Sequence, residues 1–220
     1  MNKSDEMRIV EYLENEKLKL IDLLPLHLQE QFKEESFIAG GSIYSAYNNK
    51  PINDIDVFVE SLELKIALNL YFKRVDGLAT LKRGKQKVKI GIYKGRKLVI
   101  TDNAITIGNY QIILREIGKP IEVIESFDFK HNMYYIKNNK FYSVANISYL
   151  DSNQLIFNDN RSRDVAGALM RIPKFIEKGF TINQEEVSKM LLRLSKIGFN
   201  EHEIEALEGK TGSIKFGSGD

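Results

Sequence analysis

The chain contains no cysteine and no tryptophan among its 220 residues, and it has only four prolines. The absence of cysteine excludes disulfide bonds and thiolate-ligated metal sites. No apolar run approaches the roughly 20 residues of a membrane-spanning helix, and the opening sequence MNKSDE leads into a charged amphipathic segment instead of a signal peptide. We therefore expect a cytoplasmic protein without a membrane partner. The Asn-, Lys- and Ile-rich composition suggests a viral gene, in which case the location is the host cytoplasm.

Charge of either sign is nearly balanced, because 32 Lys and Arg residues face 30 Asp and Glu residues for a net charge of +2. The protein as a whole is therefore not strongly attracted to nucleic acid. With 43% hydrophobic and 28% charged residues the composition is that of a globular protein. A chain of this length buries a sizeable core as one domain, or as a head with a small helical appendage. The sequence carries no signal for an oligomeric state.

Apolar spacing predicts helices at both ends of the chain and a strand-rich middle. Residues 4–33 have the periodicity of amphipathic helices, interrupted near Pro25. Residues 78–114 contain alternating segments separated by Gly- or Asn-containing turns, which are typical of strands. From residue 163 to residue 207 the pattern is helical again, and residues 209–220 have the composition of a flexible tail.

A glycine turn stands between a short apolar strand and a short helix, in the sequence FIAGGSIYSAY. Gly40 and Gly41 lack a Cβ atom, so their backbone amides can approach a ligand closely. If a helix begins at Ser42, its free N-terminal amides favour a phosphate group, and the Ser42 hydroxyl adds a donor. The alternative interpretation is an ordinary turn.

Two carboxylates follow on the next predicted strand, 55–59. Residues two apart project to the same side of a strand, so Asp54 and Asp56 share one face while Ile55 and Val57 face a core. Adjacent acids repel unless a cation or a proton intervenes. Carboxylate oxygens without cysteine or clustered histidine suit Mg²⁺, with Mn²⁺ as a substitute. The alternative is a solvated strand face.

The order of a Gly-Gly turn, a short helix and Asp54-Ile55-Asp56 resembles the nucleotidyltransferase superfamily, which includes DNA polymerase beta and the tRNA nucleotidyltransferase/poly(A) polymerase family. Asp54 and Asp56 match the superfamily's Asp-x-Asp residue by residue. The resemblance implies an α+β fold with a mixed sheet, helices on one side and a C-terminal helical segment. It also implies two Mg²⁺ ions and attack by a hydroxyl on the α-phosphate of a nucleoside triphosphate (NTP), with Gly40, Gly41 and Ser42 at the nucleotide.

The superfamily carries a third carboxylate on a later strand, and Asp128 is the candidate. Phe127 and Phe129 flank it and would face the core, which leaves Asp128 on the opposite side of a strand. Asp102 is the competitor, although its surroundings predict a turn. The resemblance then implies two metal ions about 3.5 to 4 Å apart, bridged by Asp54 and Asp56, with Asp128 at the ion on the nucleophile side.

Residues 163–182 resemble the neck that follows the catalytic head in tRNA nucleotidyltransferases. This resemblance makes Asp164 and Arg171 candidate nucleotide contacts. Gly167 stands where an arginine is often found, and Pro173 is expected to kink or interrupt the helix. The alternative is a structural helix that packs under the head.

These assignments divide the chain into a catalytic head at 1–160, a neck-like segment at 161–208 and a flexible tail at 209–220. The head departs from the tRNA enzymes at residues 43–46, because Ile-Tyr-Ser-Ala occupies the place of their usual Arg-Asp. Membership of the CCA-adding branch therefore does not follow from the superfamily resemblance.

A basic segment, Lys82–Lys97, holds eight Lys or Arg residues and no acid. Clustered cations attract phosphates through counter-ion release, so the segment is a candidate nucleic-acid contact. A hairpin with solvated lysines is the alternative.

Together these observations predict a Mg²⁺-dependent nucleotidyltransferase that uses an NTP such as ATP. The favoured acceptor is a nucleic-acid 3′ end, for example a tRNA-like RNA. Two other functions remain open on the sequence. One is nucleotide transfer to a protein or small-molecule hydroxyl, as in toxin or antibiotic-modifying relatives of the superfamily, and the other is a non-catalytic nucleotide- or nucleic-acid-binding module.

Overall fold

The computed structural model describes residues 1–83, 86–161 and 163–208, so the predicted tail 209–220 lies outside the described part. The helices are α1 (Lys3–Leu23), α2 (Leu26–Glu34), α3 (Gly41–Tyr47), α4 (Leu62–Lys73), α5 (Pro120–Ile124), α6 (Val165–Glu177), α7 (Gln184–Ile197) and α8 (Glu201–Glu208). The strands are β1 (Ser36–Ala39), β2 (Ile55–Val59), β3 (Ala79–Arg83), β4 (Gln86–Tyr93), β5 (Arg96–Ile100), β6 (Ala104–Ile107), β7 (Tyr110–Ile117), β8 (Tyr134–Lys137) and β9 (Lys140–Ser143).

The described strands form one mixed sheet in the order β3-β4-β5-β6-β7-β2-β1-β8-β9. β2 and β7 run parallel, and the other neighbouring pairs of this sheet are antiparallel. The α+β class with a mixed sheet and a C-terminal helical segment is confirmed. The parallel pair sets the register that matters for function, because it places Asp56 beside Gln111.

The N-terminal helices begin and end where the sequence indicates. The Asn2 side chain accepts a hydrogen bond from the Asp5 amide at 2.8 Å and so caps α1. Leu24 ends this helix in an extended conformation, as expected for a residue before proline, and α2 starts directly after Pro25. The predicted interruption near Pro25 is confirmed.

The main core lies on the face of the sheet that α1 to α4 cover. The buried residues of β2 on this side are Ile55, Val57 and Val59, as their alternation predicts. Each buried aliphatic side chain stabilises the fold by about 1.5 to 3 kcal/mol. This alternation commits β2 to one orientation, and Asp56 therefore faces the other side of the sheet.

A smaller apolar cluster covers part of that other side. Phe58 stacks on Phe37 with ring centroids 5.5 Å apart, and Val123 and Ile124 of α5 pack in the same cluster. Asp56 lies two residues before Phe58 on the same face of β2, and it is not part of this cluster. The chain thus leaves a polar opening where β2 begins.

The C-terminal segment packs into the main core. Val165, Ala168 and Ile172 on the inner side of α6 belong to the same buried cluster as the helices under the sheet, and Phe180 joins them. The helix continues through Pro173 to Glu177, so of the two expected effects, a kink or an interruption, the interruption does not occur. The packing places the outer side of α6 over the opening at Asp56.

Among the helices of the described residues, none has the length and apolarity that crossing a membrane requires.

Candidate active site

A cleft of about 520 Å³ lies between the start of β2, the glycine turn before α3 and the outer side of α6. Asp54 and Asp56 line one wall. Arg171 and Lys174 of α6, and Lys178 directly after its last residue, line the cleft as well, so acids near the start of β2 and cations along α6 enclose one space.

The two acids differ in environment although they lie on one face. Asp54 is exposed just before β2, whereas Asp56 is partly buried within it. Burial, together with the negative charge of Asp54, raises the pKa of Asp56 to about 6, although Lys174 and Lys178 oppose this rise. The expected repulsion between the two carboxylates is therefore present in the folded protein.

The glycine turn packs its backbone directly against Asp56. Gly40 has a φ of +88°, and a Cβ atom built on it would lie 3.3 Å from Asp56 Oδ2. Gly41 has no atom within 4 Å of the corresponding position and lines the cleft. Gly40 therefore supplies the conformation and the close approach, while Gly41 keeps the entrance to the acids open.

Two polar atoms in the cleft wall lack a hydrogen-bond partner within the described residues. The Ser42 Oγ atom is buried on α3, and the Asn132 Oδ1 atom is buried on the 3₁₀ turn Lys130–Asn132. Both residues line the cleft. Buried polar groups in proteins are nearly always satisfied, so these two atoms indicate a site for water or a polar ligand.

The cations of α6 recur at helical spacing. Arg171, Lys174 and Lys178 lie three and seven residues apart and so occupy one side of the helix, together with Phe175. Lys174 and Lys178 are not among the site residues predicted from the sequence. Their helical spacing from Arg171 could have identified them, but it indicates a shared site only once the helix is known to face the acids.

An aromatic group forms the floor of the cleft beside these cations. Tyr44 and Phe180 line the cleft, and the Lys50 ammonium lies 5.0 Å and 5.5 Å from their ring centroids. His131 packs beneath them at 4.4 Å from the Phe180 ring. Burial, helped by Lys178 and Lys50, lowers the pKa of His131 to about 3, so this imidazole is neutral and belongs to the packing.

Asp128 is bound by two arginines near the start of α6. It lies in a bend after α5 instead of on a strand, so the predicted strand is wrong. Its carboxylate forms ion pairs with Arg161 at 2.9 Å and with Arg171 at 2.5 Å. Within residues 1–83, 86–161 and 163–208, no group of three His, Cys, Asp or Glu side chains is placed to hold a metal ion. Two arginines thus bind the carboxylate that was predicted to complete the trio.

The competitor Asp102 lies in an exposed turn, as its sequence predicts. The neighbouring Asn103 carbonyl accepts a hydrogen bond from the Leu114 amide of β7. The residue of β7 that pairs with Asp56 is Gln111, three residues before Leu114, and Gln111 lines the cleft. The residue beside Asp56 on the adjacent strand is thus a neutral amide and not a carboxylate.

Of the two neck residues predicted to contact nucleotide, Arg171 lines the cleft and Asp164 does not. Asp164 precedes α6 with a left-handed backbone, φ 52° and ψ 39°. Its carboxylate accepts hydrogen bonds from Arg161 and Arg171.

The remaining acids suit one magnesium ion. Mg²⁺ is commonly held by one or two carboxylates together with substrate phosphates, and Asp54 and Asp56 provide two hard oxygen ligands that repel each other. A bound cation would relieve the repulsion that raises the pKa of Asp56. The donor set therefore fits the ion that the sequence predicts, with further ligands left to the substrate.

The sequence of this chain is similar to a protein family and to a curated phage protein. The family model described as "Gabija anti-defense 2 family protein" matches residues 12–159. A curated relative, "Gabija anti-defense 2" from Bacillus phage SPbetaL7, is 26% identical over 199 residues. The alignment covers 86% of this chain and 44% of that protein, so the chain spans less than half the length of this relative.

Solved structures with a similar course of the chain include CCA-adding enzymes. The Bacillus stearothermophilus CCA-adding enzyme in complex with CTP matches with a TM-score of 0.50 at 15% identity, over 86% of this chain and 47% of that one. The Thermotoga maritima CCA-adding enzyme complexed with tRNA matches with a TM-score of 0.46 at 14% identity, over 80% and 44%. The first similarity shows that this chain has a nucleotidyltransferase-like fold.

Because the pKa of Asp56 is raised, we expect neutralisation of this carboxylate to increase the free energy of unfolding by an amount that depends on pH. Since the pKa in the folded protein exceeds that of the unfolded chain, the charged form destabilises the fold above about pH 6. This destabilisation disappears as the pH falls toward 4. We expect Asp56→Asn to raise the free energy of unfolding at pH 7.5 in EDTA by roughly 2 to 3 kcal/mol, with the difference lost near pH 4.

Urea unfolding at both pH values measures this difference, and Asp54→Asn is the matched control. Because Asp54 is exposed, its neutralisation relieves the same repulsion without removing a buried charge, so the gain is smaller. A loss of stability in Asp56→Asn at pH 7.5 would show instead that this carboxylate is compensated.

Substitutions of the two glycines separate strain from access. We expect Gly40→Ala to lower the free energy of unfolding by about 1 to 3 kcal/mol, because of its positive φ and its contact with Asp56. Gly41→Ala meets open space and is expected to change stability by less than about 0.5 kcal/mol. Thermal and urea unfolding of both variants test this contrast, and equal effects would contradict it.

Proposed function

Because the chain belongs to the Gabija anti-defense 2 family, we propose that it counters a host defence by transferring a nucleoside monophosphate from an NTP to a hydroxyl acceptor. The observation that carries this proposal is the cleft in which the acids of β2 and the cations of α6 enclose one space. Carboxylates suit a divalent cation and cations suit a polyphosphate, so the two halves together match a metal–NTP complex.

The acids are the proposed metal ligands. Asp54 and Asp56, which lie beside the backbone of Gly40, would hold Mg²⁺, or Mn²⁺ in its place. Such an ion would neutralise phosphate charge and lower the pKa of the hydroxyl that bonds to the α-phosphorus as the bond to pyrophosphate breaks and pyrophosphate leaves. The protein's own contribution is to hold both carboxylates on one strand face, which the buried alternation of β2 enforces.

The triphosphate is the proposed partner of α6. Arg171, Lys174 and Lys178 supply three positive side chains along one side of that helix. The Ser42 hydroxyl, which lacks a partner among the described residues, is available to a phosphate oxygen beside the open Gly41. Positioning and charge neutralisation supply most of the catalysis in phosphoryl-group chemistry.

The proposed acceptor is a nucleic-acid 3′ end, such as that of a tRNA-like RNA. The basic segment Lys82–Lys97 supports this choice in part. The ladder from β2 through β7, β6 and β5 puts the turn at Lys94 and Gly95 at the same end of the sheet as Asp54. Lys87 and Lys89 lie on β4 and form a second basic stretch away from this turn. Residues 84 and 85 lie outside the described part.

Labelled NTPs test the reaction and identify the acceptor. With an α-³²P-labelled NTP and Mg²⁺, we expect label to enter the RNA pool and not DNA, cell protein or small alcohols. Asp56→Asn should lower the rate by about 100-fold or more, because it removes a ligand of the ion that stabilises the transferred phosphate. Asp102→Asn, in the exposed turn, is the matched control and should retain activity.

Other labelled pools would redirect the proposal. Label in protein or in a small alcohol would replace the nucleic-acid acceptor with the corresponding hydroxyl. If every pool stays unlabelled while an NTP still raises the melting temperature in Mg²⁺, the protein is a binding module and not an enzyme.

Salt titration tests the basic segment. Lys87 and Lys89 project from one face of β4, and we expect Lys87→Glu/Lys89→Glu to weaken binding of single-stranded RNA. The slope of log affinity against log salt should fall by about one unit, because phosphate contacts are lost. Lys140→Glu/Lys196→Glu makes the same charge change at exposed positions elsewhere. Equal effects of the two pairs would assign the lysines to a solvated hairpin.

A further inference from the structure

The start of α6 carries a closed network of two acids and two arginines beside the cleft. Asp128 pairs with Arg161 at 2.9 Å and with Arg171 at 2.5 Å. Asp164 pairs with the same arginines, at 3.2 Å and 3.0 Å. The four formal charges cancel, and each carboxylate joins both guanidinium groups.

Asp164 is held over the first turn of α6 by local geometry as well as by charge. A Cβ atom on Gly167 would lie 2.1 Å from Asp164 Oδ1, so the carboxylate occupies the space in which a side chain at 167 would begin. The left-handed backbone of Asp164 turns it back over the first turn of the helix. The residue one turn after Asp164 therefore contributes no side chain to the cleft.

Arg171 is the member of the network that reaches the cleft. Its Nε atom donates to Asp128 and its Nη2 atom donates to Asp164, which leaves the Nη1 atom without a partner in these two bonds. Two anchored nitrogen atoms fix the plane of the guanidinium group. Lys174 and Lys178 continue the line of positive charge from Arg171 along the same side of α6.

We propose that Arg171 contacts the phosphates of the bound nucleotide and that Asp164 and Asp128 are positioning residues that orient it, so that Asp164 takes no part in reading the base. This inference rests on the proposed nucleotide substrate, but not on transfer taking place. A planar guanidinium held on two edges presents its remaining N–H groups in a fixed direction, which suits phosphate oxygens.

The mechanism has a signature in nucleotide binding. A residue that reads a base edge affects one NTP more than the others, whereas a residue that orients a phosphate contact affects all four alike. The loss should also grow with the number of phosphates, from nucleoside through monophosphate to triphosphate.

Equilibrium binding of the four non-hydrolysable NTPs with Mg²⁺, by calorimetry, measures this. We expect Arg171→Gln to weaken the binding of all four NTPs by about tenfold or more. Asp164→Asn should weaken binding by a smaller factor, about three to ten, that is the same for all four NTPs. Asparagine is tolerated in the left-handed conformation, so the fold should be retained. Arg163→Gln, which loses an exposed pair with Glu116 outside the cleft, is the matched control and should bind like the parent.

A double-mutant cycle shows whether Asp164 acts through Arg171. The variant Asp164→Asn/Arg171→Gln should bind no more weakly than Arg171→Gln alone, because the group that Asp164 orients is already gone. Asp128→Asn combined with Arg171→Gln should likewise bind no more weakly than Arg171→Gln alone. Circular dichroism and melting curves of each variant identify any that do not fold, and Arg171→Lys, which keeps the charge but cannot bridge both acids, provides a second test of orientation.

Three results would overturn the inference. They are an unchanged affinity in Arg171→Gln, a loss in Asp164→Asn confined to one base, and tighter binding in Asp164→Asn, which would mean that added positive charge outweighs orientation. Failure of the proposed transfer gives a different pattern, because these binding losses would then appear without any labelled acceptor.

Discussion

The cleft depends on one electrostatic constraint, the confinement of two like charges on a strand that cannot rotate. Ile55, Val57 and Val59 bury one face of β2, and the pleat therefore fixes Asp56 on the other, beside Asp54. The backbone of Gly40 lies so close to this carboxylate that a Cβ atom built there would be 3.3 Å from Asp56 Oδ2. Positive charge must then come from elsewhere in the chain, and the lysines of α6 oppose the resulting rise in the pKa of Asp56.

Sequence reasoning succeeded where the cause is local. The alternation in β2 predicts which residues enter the core, the dipeptide at Gly40 predicts the turn, and Pro25 predicts the break between the first two helices. Each of these depends on the conformational preference of a few adjacent residues. The fold class did not follow from these local preferences alone, because it was implied by the resemblance of the Gly-Gly turn and Asp54-Ile55-Asp56 to the nucleotidyltransferase superfamily.

The same reasoning failed where the cause is distant in the chain. Phe127 and Phe129 around Asp128 have the period of a strand, but the segment is a bend after α5, and its carboxylate is bound by arginines from beyond residue 160. No short-range pattern identifies Gln111 as the neighbour of Asp56 either, since that pairing is a parallel register across the sheet. Lys174 and Lys178 could be recognised only after the helix that carries them had been placed.

The match to the Gabija anti-defense 2 family ends at residue 159, and α6 starts at Val165. The half of the cleft that would hold a metal ion thus lies inside the matched region, whereas the half that faces it with positive charge lies outside. The two halves of the cleft therefore come from separate parts of the chain, and a change confined to α6 would alter the positive charge that faces Asp54 and Asp56 without touching the strand that positions them.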